Sequence, residues 1–351
     1  MDMELKTEAN AITKGIEPVC SVCIANFNGR NVLEACLNSV VRQDFIHPIE
    51  IIVHDDASTD GSADIISKKY PKIRLMRSAN NVGFCISNNR MVAMAKGRYI
   101  LLLNNDAELC ENALATFYDF AESESECGII GLPQYDMQTG RLIDIGSLLD
   151  PFLNPIPNKN SLRRNVAAVS GACMWFPKRL WNELGGFPEW FESIAEDTYL
   201  CCLTRLKGYP VIALSKSGFK HWIGKSLGGG RVVQNALQTT YRRRALSERN
   251  KSYVMLMCYP APILQLILPL HLLFLLGEGF VLSMVKRDFR IWERIYKSCL
   301  QSLWQERNCI ADHRQSIQKG KVITLRQFIQ PFRCFPHKIR LLFEHGIPTI
   351  K

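Results

Sequence analysis

Three polar segments of this 351-residue chain contain residues that could form a catalytic or metal-binding site. Asp55-Asp56 and Asn104-Asn105-Asp106 come at the ends of two apolar runs, at 49–53 and 99–103. Glu196-Asp197 comes later and precedes a predicted helix. Carboxylate and amide oxygens are ligands of hard divalent cations, and open α/β sheets place their sites at the carboxyl ends of strands. The two earlier segments therefore predict a binding site for a cation and a diphosphate at one edge of the sheet. The later acidic pair could act as a general base that takes up a proton.

Each segment also has a plainer structural explanation. A turn would explain Asn104-Asn105-Asp106, because Asn and Asp favour turns. Helix capping would explain Ser58 or Asp60, although it does not need two aspartates at the end of a strand. The macrodipole stabilises an acidic pair at a helix N-terminus by about 0.3–1 kcal/mol. The residue types alone leave both explanations open.

The elements that must position these residues alternate along the first hundred residues. Apolar runs predict strands, and amphipathic spacing predicts helices, one of them capped by Asn31. The strands are predicted at 19–25, 49–53, 73–76 and 99–103, and the helices at about 32–42, 62–69 and 85–96. Such alternation predicts a mostly parallel, Rossmann-like sheet with helices on both faces.

The charge of the chain is divided unevenly. The net charge is +10, but residues 242–351 hold 19 Lys and Arg against 7 Asp and Glu. The rest of the chain holds 24 basic and 26 acidic residues. A basic region favours anionic partners, either nucleic acid or phospholipid headgroups. Thirteen scattered cysteines, and no apolar leader after Met1, predict a reducing cytoplasm.

Residues 254–285 contain no Lys, Arg or Asp, and Glu278 is their only acidic side chain. This length would suffice for a membrane span. The prolines at 260, 262 and 269 are predicted to break the segment into pieces. The basic residues on both sides, 242–244 and 286–287, favour a broken, re-entrant or surface-embedded membrane element at the cytoplasmic face. A single span and a buried helix bundle stay open as alternatives.

Taken in order, these blocks resemble family 2 glycosyltransferases, with bacterial rhamnosyltransferase-like enzymes of surface polysaccharide assembly as the nearest type. The resemblance covers about 19–225. Its blocks are 23–28, 50–62, 81–84 with 88–89, 101–106, 169–174, 185–187 and 196–197. It implies a GT-A fold, a nucleotide-sugar donor and a divalent cation, Mg²⁺ or Mn²⁺.

The resemblance also implies roles for single residues. The catalytic base is Asp197, with Glu196 as its helper. The metal ligands are Asp106, His221 and Asn104, although a structural role for His221 stays equally open. The residues that bind the nucleotide-sugar are Ala25, Asn28, Asp55, Asp56, Asn81, Gly83, Asn89, Asn104, Asn105, Lys225 and Arg231. For Lys225 and Arg231 a solvated loop is the alternative.

One residue departs from the family pattern. Asn104 stands where the family's DxD motif has its first aspartate. An amide oxygen can still bind a metal but adds no charge, so the metal affinity is predicted to be weaker. Phosphate oxygens and water would supply more of the coordination.

The sequence therefore predicts three regions. Residues 1–17 are disordered, 18–240 form the GT-A domain, and 241–351 form a basic, apolar, helical region that associates with a membrane. Within the GT-A domain, 18–110 is the nucleotide-sugar half and 111–240 the acceptor half.

The predicted activity is inverting transfer of a sugar to a hydroxyl of a lipid-linked or other oligosaccharide, in surface polysaccharide synthesis. The protein is predicted to be peripheral or monotopic on the cytoplasmic side of the inner or plasma membrane. The alternatives are a silent nucleotide-sugar-binding scaffold, motivated by Asn104, and a nucleotidyltransferase, disfavoured because 28–30 is too short for a glycine-rich, basic signature. Nucleic acid is a less favoured partner of the basic region.

Overall fold

The computed structural model describes residues 6–8, 17–224, 228–233 and 236–351. The chain divides into two compact units that interleave along the sequence. The first unit comprises Met1–Gly146, Pro157–Ser193 and Tyr209–Trp222. The second comprises Ser147–Ile156, Ile194–Gly208 and Ile223–Lys351.

The strands and helices are numbered here in chain order. The strands are β1 Lys6–Glu8, β2 Cys20–Asn26, β3 Ile49–Asp55, β4 Arg74–Arg77, β5 Tyr99–Leu103, β6 Ala107–Leu109, β7 Ile129–Gly131, β8 Gln134–Asp136, β9 Leu142–Asp144, β10 Ser147–Leu149, β11 Pro155–Pro157, β12 Cys173–Pro177, β13 Val211–Ala213, β14 Phe219–His221, β15 Gly229–Val233, β16 Ala236–Thr239 and β17 Thr349–Ile350. The helices are α1 Leu33–Val41, α2 Ser62–Lys69, α3 Phe84–Met94, α4 Ala113–Ser123, α5 Lys178–Leu184, α6 Glu196–Leu206, α7 Tyr241–Cys258, α8 Ala261–Lys286, α9 Ser298–Gln305, α10 Arg307–Lys319, α11 Leu325–Ile329 and α12 His337–His345. A 3₁₀ turn covers Glu189–Phe191, and a π-helical segment covers Trp292–Lys297.

The first unit is built on an eight-stranded sheet in the order β1-β4-β3-β2-β5-β12-β7-β13. The predicted strands β2, β3, β4 and β5 pair in parallel. β12 runs antiparallel to both β5 and β7, so the sheet is mixed rather than mostly parallel. A smaller sheet in the order β6-β14-β8-β9 lies in the same unit. The predicted α/β class is therefore confirmed, with a mixed sheet.

The core of this unit explains why the strands hold their places. Every residue of β5 is buried, and Val22 and Ile24 of β2 pack in the same cluster as Leu33 and Leu37 of α1. Burial of such apolar side chains is the main favourable term for folding.

The entry to α1 differs from the prediction. The N-cap is Val32 rather than Asn31, and it makes no side-chain cap bond. The backbone N–H groups of Val32 and Leu33 instead both donate to the Gly29 carbonyl. The prediction that Asn31 caps the helix is therefore wrong.

The second unit is mostly helical, and α8 corrects another prediction. It is one continuous helix of 26 residues, with Pro269 inside it. Pro262 lies in the first turn, where the missing N–H costs nothing, and Pro269 lies on the exposed side of the helix. The prediction that these two prolines break the segment is wrong. Among the described residues, α8 is the one helix long and apolar enough to cross a membrane, and 28% of its most apolar window is buried.

Candidate active site

The side-chain amide of Asn26 joins the ends of three strands in the first unit. Asn26 is the last residue of β2, and its Nδ2 donates to Asp55 Oδ2 at 2.8 Å and to Ser62 Oγ at 2.9 Å. Its Oδ1 accepts a bond of 2.9 Å from Asn105 Nδ2. Asn26 and Asp55 are 1% and 3% exposed, so these bonds satisfy polar groups that water cannot reach. The cluster fixes the predicted donor-binding residues Asp55 and Asn105 against each other.

Asp56, the next residue along, holds a neighbouring turn. Its two carboxylate oxygens accept from the backbone N–H groups of Val82 and Gly83, at 2.7 and 2.9 Å. Gly83 has φ +91°, a conformation that glycine adopts without steric cost. In this structure, therefore, Asp56 positions the turn before α3.

A second cluster lies at the end of β5, where the chain continues from Asn105 into Asp106. Asp106 Oδ1 lies 3.1 Å from His221 Nε2, and Asn104 Nδ2 lies 3.5 Å from the same nitrogen. The other ring nitrogen, Nδ1, is held by the side-chain amide of Gln134 at 3.0 Å. Asp106 is 3% exposed and the His221 side chain 13%. A carboxylate, an imidazole and an amide thus converge, and the imidazole orientation is fixed by Gln134.

This set of donor atoms can hold a divalent cation. Carboxylate oxygens, amide oxygens and water suit Mg²⁺ and Mn²⁺, and the imidazole adds a nitrogen ligand of the kind that first-row transition metals accept. Within the described parts of the chain, no group of three or more His, Cys, Asp or Glu side chains could hold a metal ion. The protein thus offers few charged ligands here, and phosphate oxygens and water would complete the coordination.

The acidic pair lies in the second unit, at the start of α6. Ile194 and Ala195 precede it with φ +72° and +66°, and the Ile194 carbonyl accepts from Asn250 Nδ2 of α7 at 2.8 Å. Asp197 is half-buried, whereas Glu196 is 7% exposed, and its Oε2 has no hydrogen-bond partner within the described chain. α7 therefore holds the left-handed turn that presents the pair.

Burial and charge separate the two carboxyls. Burial, together with the neighbouring Asp197, raises the pKa of Glu196 to about 8. Arg243 lies in the same environment, where burial lowers its pKa and the two acids oppose that effect. The raised pKa favours a proton on Glu196, so Asp197 is the residue of the pair that could act as a base.

The remaining predicted site residues do not belong to these clusters. Asn89 uses both ends of its amide on the backbone of Phe187, at 2.9 and 3.0 Å, so it anchors the acceptor-half segment 185–187. Asn28 accepts from the Thr59 N–H. Asn81 is exposed, and Ala25 is half-buried in β2. Lys225 and the Arg231 side chain lie outside the described residues, and their roles stay predictions.

Four positioning residues were missed by the sequence analysis. They are Asn26, Gln134, Arg243 and Asn250. Arg243 had been taken, with Arg242 and Arg244, as one side of a cationic bracket around a membrane element. Arg244 is in fact largely buried and pairs with Glu248 and Glu278, so the triplet does not form a membrane-facing cluster.

Residues 21–185 match Glycosyl transferase family 2. This region is just under half of the chain, and over it the match agrees with the predicted family. The matched region runs from β2 to β12. It includes Asn26 at the end of β2 and Asp106 just after β5.

Relatives and solved structures agree with this match. Over 112 residues the chain is 35% identical to the poly(ribitol-phosphate) beta-glucosyltransferase of Bacillus spizizenii, covering 30% of this chain and 18% of that protein. The chain thus spans about a fifth of the length of that curated relative. The mannosyltransferase PcManGT from Pyrobaculum calidifontis, solved with GDP-Man and Mn²⁺, is 16% identical with a TM-score of 0.53, over 83% of this chain and 88% of that one. S. aureus TarS 1-349 in complex with UDP-GlcNAc is 17% identical with a TM-score of 0.51, over 86% and 90%. At these identities the likeness shows the α/β GT-A-like fold alone.

Proposed function

We propose that this protein is an inverting glycosyltransferase that moves a sugar from a nucleoside-diphosphate donor to a hydroxyl of a saccharide. The observation that carries the proposal is the continuous chain of contacts from Asp55 through Asn26 and Asn105 to Asp106 and His221. It places carboxylate, amide and imidazole groups in a row at the carboxyl end of the sheet. Such a row suits a ligand with a nucleoside at one end and a diphosphate at the other.

Support for the donor class comes from both the site and the fold. Asp55 lies where the resemblance places a nucleoside contact. Its Oδ1 accepts a hydrogen bond from the Ser58 N–H, and the Ser58 hydroxyl accepts one from the Asn28 N–H. Two proteins of the same fold were solved with nucleotide-sugars, GDP-Man and UDP-GlcNAc. We take the donor to be a nucleotide-sugar of this kind.

The metal role is assigned to Asp106, His221 and Asn104. A bound Mg²⁺ or Mn²⁺ would neutralise the diphosphate as it leaves, so no protein acid is required. Asp106 supplies the ionised oxygen, and Gln134 holds the His221 ring in place. Asn104 contributes an oxygen without charge, which makes the affinity depend on the phosphate oxygens of the donor.

The base is assigned to Asp197. Attack by an acceptor hydroxyl on the anomeric carbon requires a carboxylate that takes up its proton, and inversion follows from a single displacement. Protonated Glu196 beside it keeps a second negative charge away from the incoming hydroxyl. Arg243 adds a positive charge to the same environment.

The acceptor is proposed to be a lipid-linked or other oligosaccharide of a surface polysaccharide, reached from the cytoplasmic face of a membrane. The basic charge of residues 242–351 and the apolar helix α8 support this location. A rhamnosyl donor remains a proposal on sequence resemblance.

The first experiment is a donor screen with the full chain. It measures release of nucleoside diphosphate from a panel of UDP-, GDP- and dTDP-sugars with Mg²⁺ or Mn²⁺, and then with EDTA. We expect one donor class to be turned over, and EDTA to stop the reaction. Turnover that persists in EDTA would overturn the metal role of Asp106. Failure to turn over any donor would favour the silent scaffold, which Asn104 motivates.

A further inference from the structure

α8 differs from an ordinary surface helix because its outward side is apolar. Its outward side chains are mostly large and apolar, whereas its inward side combines the buried Leu275 and Leu282 with polar residues. The polar residues are His271, Glu278 and Ser283. The outward set includes Leu266, Leu270, Leu273, Phe280, Met284 and Val285, which are 47–70% exposed. A surface helix of a soluble protein turns its apolar stripe inward. An exposed apolar patch on this scale indicates an interaction surface.

The inward face of α8 is locked to its neighbours. His271 Nε2 lies 2.7 Å from Ser252 Oγ of α7, and Glu278 pairs with Arg244 of α7. Glu278 also pairs with Lys338 of α12 at 2.7 Å. Rotating α8 to hide its apolar side would break these bonds and leave charged partners unpaired, which opposes the rotation.

These same contacts argue against a span. α7 binds α8 at His271 and Glu278, and Lys338 joins α12 to Glu278, so a spanning α8 would draw both helices toward the hydrocarbon. On α12 the ion pair of Arg340 and Glu344 is exposed, at 63% and 45% of the side chains. A charged side chain at the centre of a bilayer is energetically unfavourable. An orientation along the membrane surface avoids this cost.

α12 carries a second exposed apolar face. Ile339, Leu342 and Phe343 are spaced to share one face, and they are 36%, 48% and 84% exposed. In α12, which is described throughout, no residue is buried. Lys338 of the same helix forms ion pairs with Glu278 of α8 and Glu248 of α7. Lys338 therefore joins α12 to α7 and α8 by ion pairs, while the apolar side chains of α12 stay exposed.

Charge decides between possible occupants of this surface. Lys286 and Arg287 are exposed at the carboxyl end of α8, and residues 242–351 carry an excess of twelve positive charges. Two copies of so basic a region would repel each other. Anionic lipid headgroups instead attract each Lys or Arg near the surface.

We infer that the outward face of α8, together with Ile339, Leu342 and Phe343 of α12, inserts into one leaflet of an anionic membrane and lies along it without crossing. This inference rests on the proposed membrane-side function and deepens it. The chemistry of the partner is that of a phospholipid surface with negative headgroups.

The test is flotation of the full chain with vesicles, measured without any donor. The vesicles are phosphatidylcholine alone or phosphatidylcholine with phosphatidylglycerol. Wild type should bind the anionic vesicles more strongly, and the double variant L273Q/F280Q should lose binding by about tenfold or more, because two large apolar side chains no longer enter the lipid. The matched control is I46Q, which changes an apolar residue of the first unit that is 92% exposed. It should bind like wild type.

Two results would overturn the inference. One is unchanged vesicle binding of L273Q/F280Q. The other is that this variant changes the oligomeric mass of the chain in solution instead, which would make a second copy the occupant. Because donor turnover is assayed separately on soluble reagents, turnover that survives lost vesicle binding leaves the proposed activity intact.

A second experiment measures the orientation of α8 relative to the membrane. Single cysteines at Leu266, Leu273 and Val285, placed in C334S to remove the exposed native thiol, would carry a fluorophore quenched by brominated lipids. Similar quenching depth at all three sites supports the surface orientation. Quenching deepest at Leu273, with the two end sites at opposite leaflets, would show a span and overturn it.

Discussion

At the scale of single residues, Asn26 does more for the candidate site than its place in the sequence indicates. One side-chain amide binds Asp55, Ser62 and Asn105, which come from different parts of the chain. Amides suit this position because each carries both donors and acceptors. The carboxylate of Asp55 is thereby kept in place without a counter-cation.

Asn104 offers a gain-of-function prediction. If its side chain faces the bound cation, Asn104→Asp adds a negative charge beside it, and the Mn²⁺ concentration for half-maximal activity should fall about tenfold, equivalent to about 1.4 kcal/mol. Metal titration of donor turnover measures this. An unchanged or higher requirement would remove Asn104 from the metal site, and Asn112→Asp serves as a control outside the site.

Glu196 gives a prediction on pH. Its pKa is about 8 in the folded chain against an ordinary 4.5, so between these values the folded state holds a proton that the unfolded chain has released. The free energy of unfolding therefore falls as pH rises through this window, by up to about 1.4 kcal/mol per pH unit. Glu196→Gln should flatten that slope in urea denaturation.

The control is Glu293→Gln, which changes an exposed glutamate of the same unit. It should leave the slope as in wild type. Equal slopes in wild type and Glu196→Gln would contradict the proton placed on Glu196.

At the scale of elements, Gly29 decides how closely the loop after β2 can approach the end of β5. A Cβ at this position would overlap the side-chain amides of Asn26 and Asn105. We expect Gly29→Ala to break their bond, to destabilise the chain by about 1–3 kcal/mol and to weaken donor binding about tenfold.

Calorimetric donor titration and urea denaturation measure both effects. Gly277→Ala is the matched control, because a Cβ there meets nothing within 4 Å and alanine favours the helix. Wild-type donor affinity in Gly29→Ala would show that the amide cluster does not position the donor.

The sequence predicted the local elements better than their long-range partners. β5 was predicted with its observed bounds, 99–103, because its five apolar residues form a continuous buried run. β12 was not predicted as a strand, and its antiparallel insertion between β5 and β7 is what makes the sheet mixed. Contacts such as Asn105 to Asn26 and Gln134 to His221 join residues 79 and 87 positions apart. No local pattern in the sequence specifies such pairs.

The apolar segment shows the same limit. Its composition singled out 254–285, most of which forms α8, but the prolines at 262 and 269 were wrongly predicted to break it. Pro262 lies in the first turn, where no backbone N–H is needed, and α8 continues through Pro269. The inward orientation of Glu278 depends on its ion pairs with Arg244 of α7 and Lys338 of α12, which the sequence does not reveal.

At the scale of the whole molecule, charge and chemistry are separated. Residues 1–241 are nearly neutral and contain the predicted site, whereas 242–351 carry the positive excess and the apolar helix. A basic, apolar region suits a membrane surface, where acceptors with lipid tails reside. The proposed function rests on this separation of the predicted site from the basic, apolar region.

The most direct test of the central claim compares wild type and Asp197→Asn on the donor found by the screen, measuring donor binding and transfer in the same samples. The account predicts that the variant binds the donor with wild-type affinity in the presence of Mn²⁺ and loses transfer by about 10²–10⁴-fold, as expected for removal of a general base. Transfer by Asp197→Asn at the wild-type rate would contradict it.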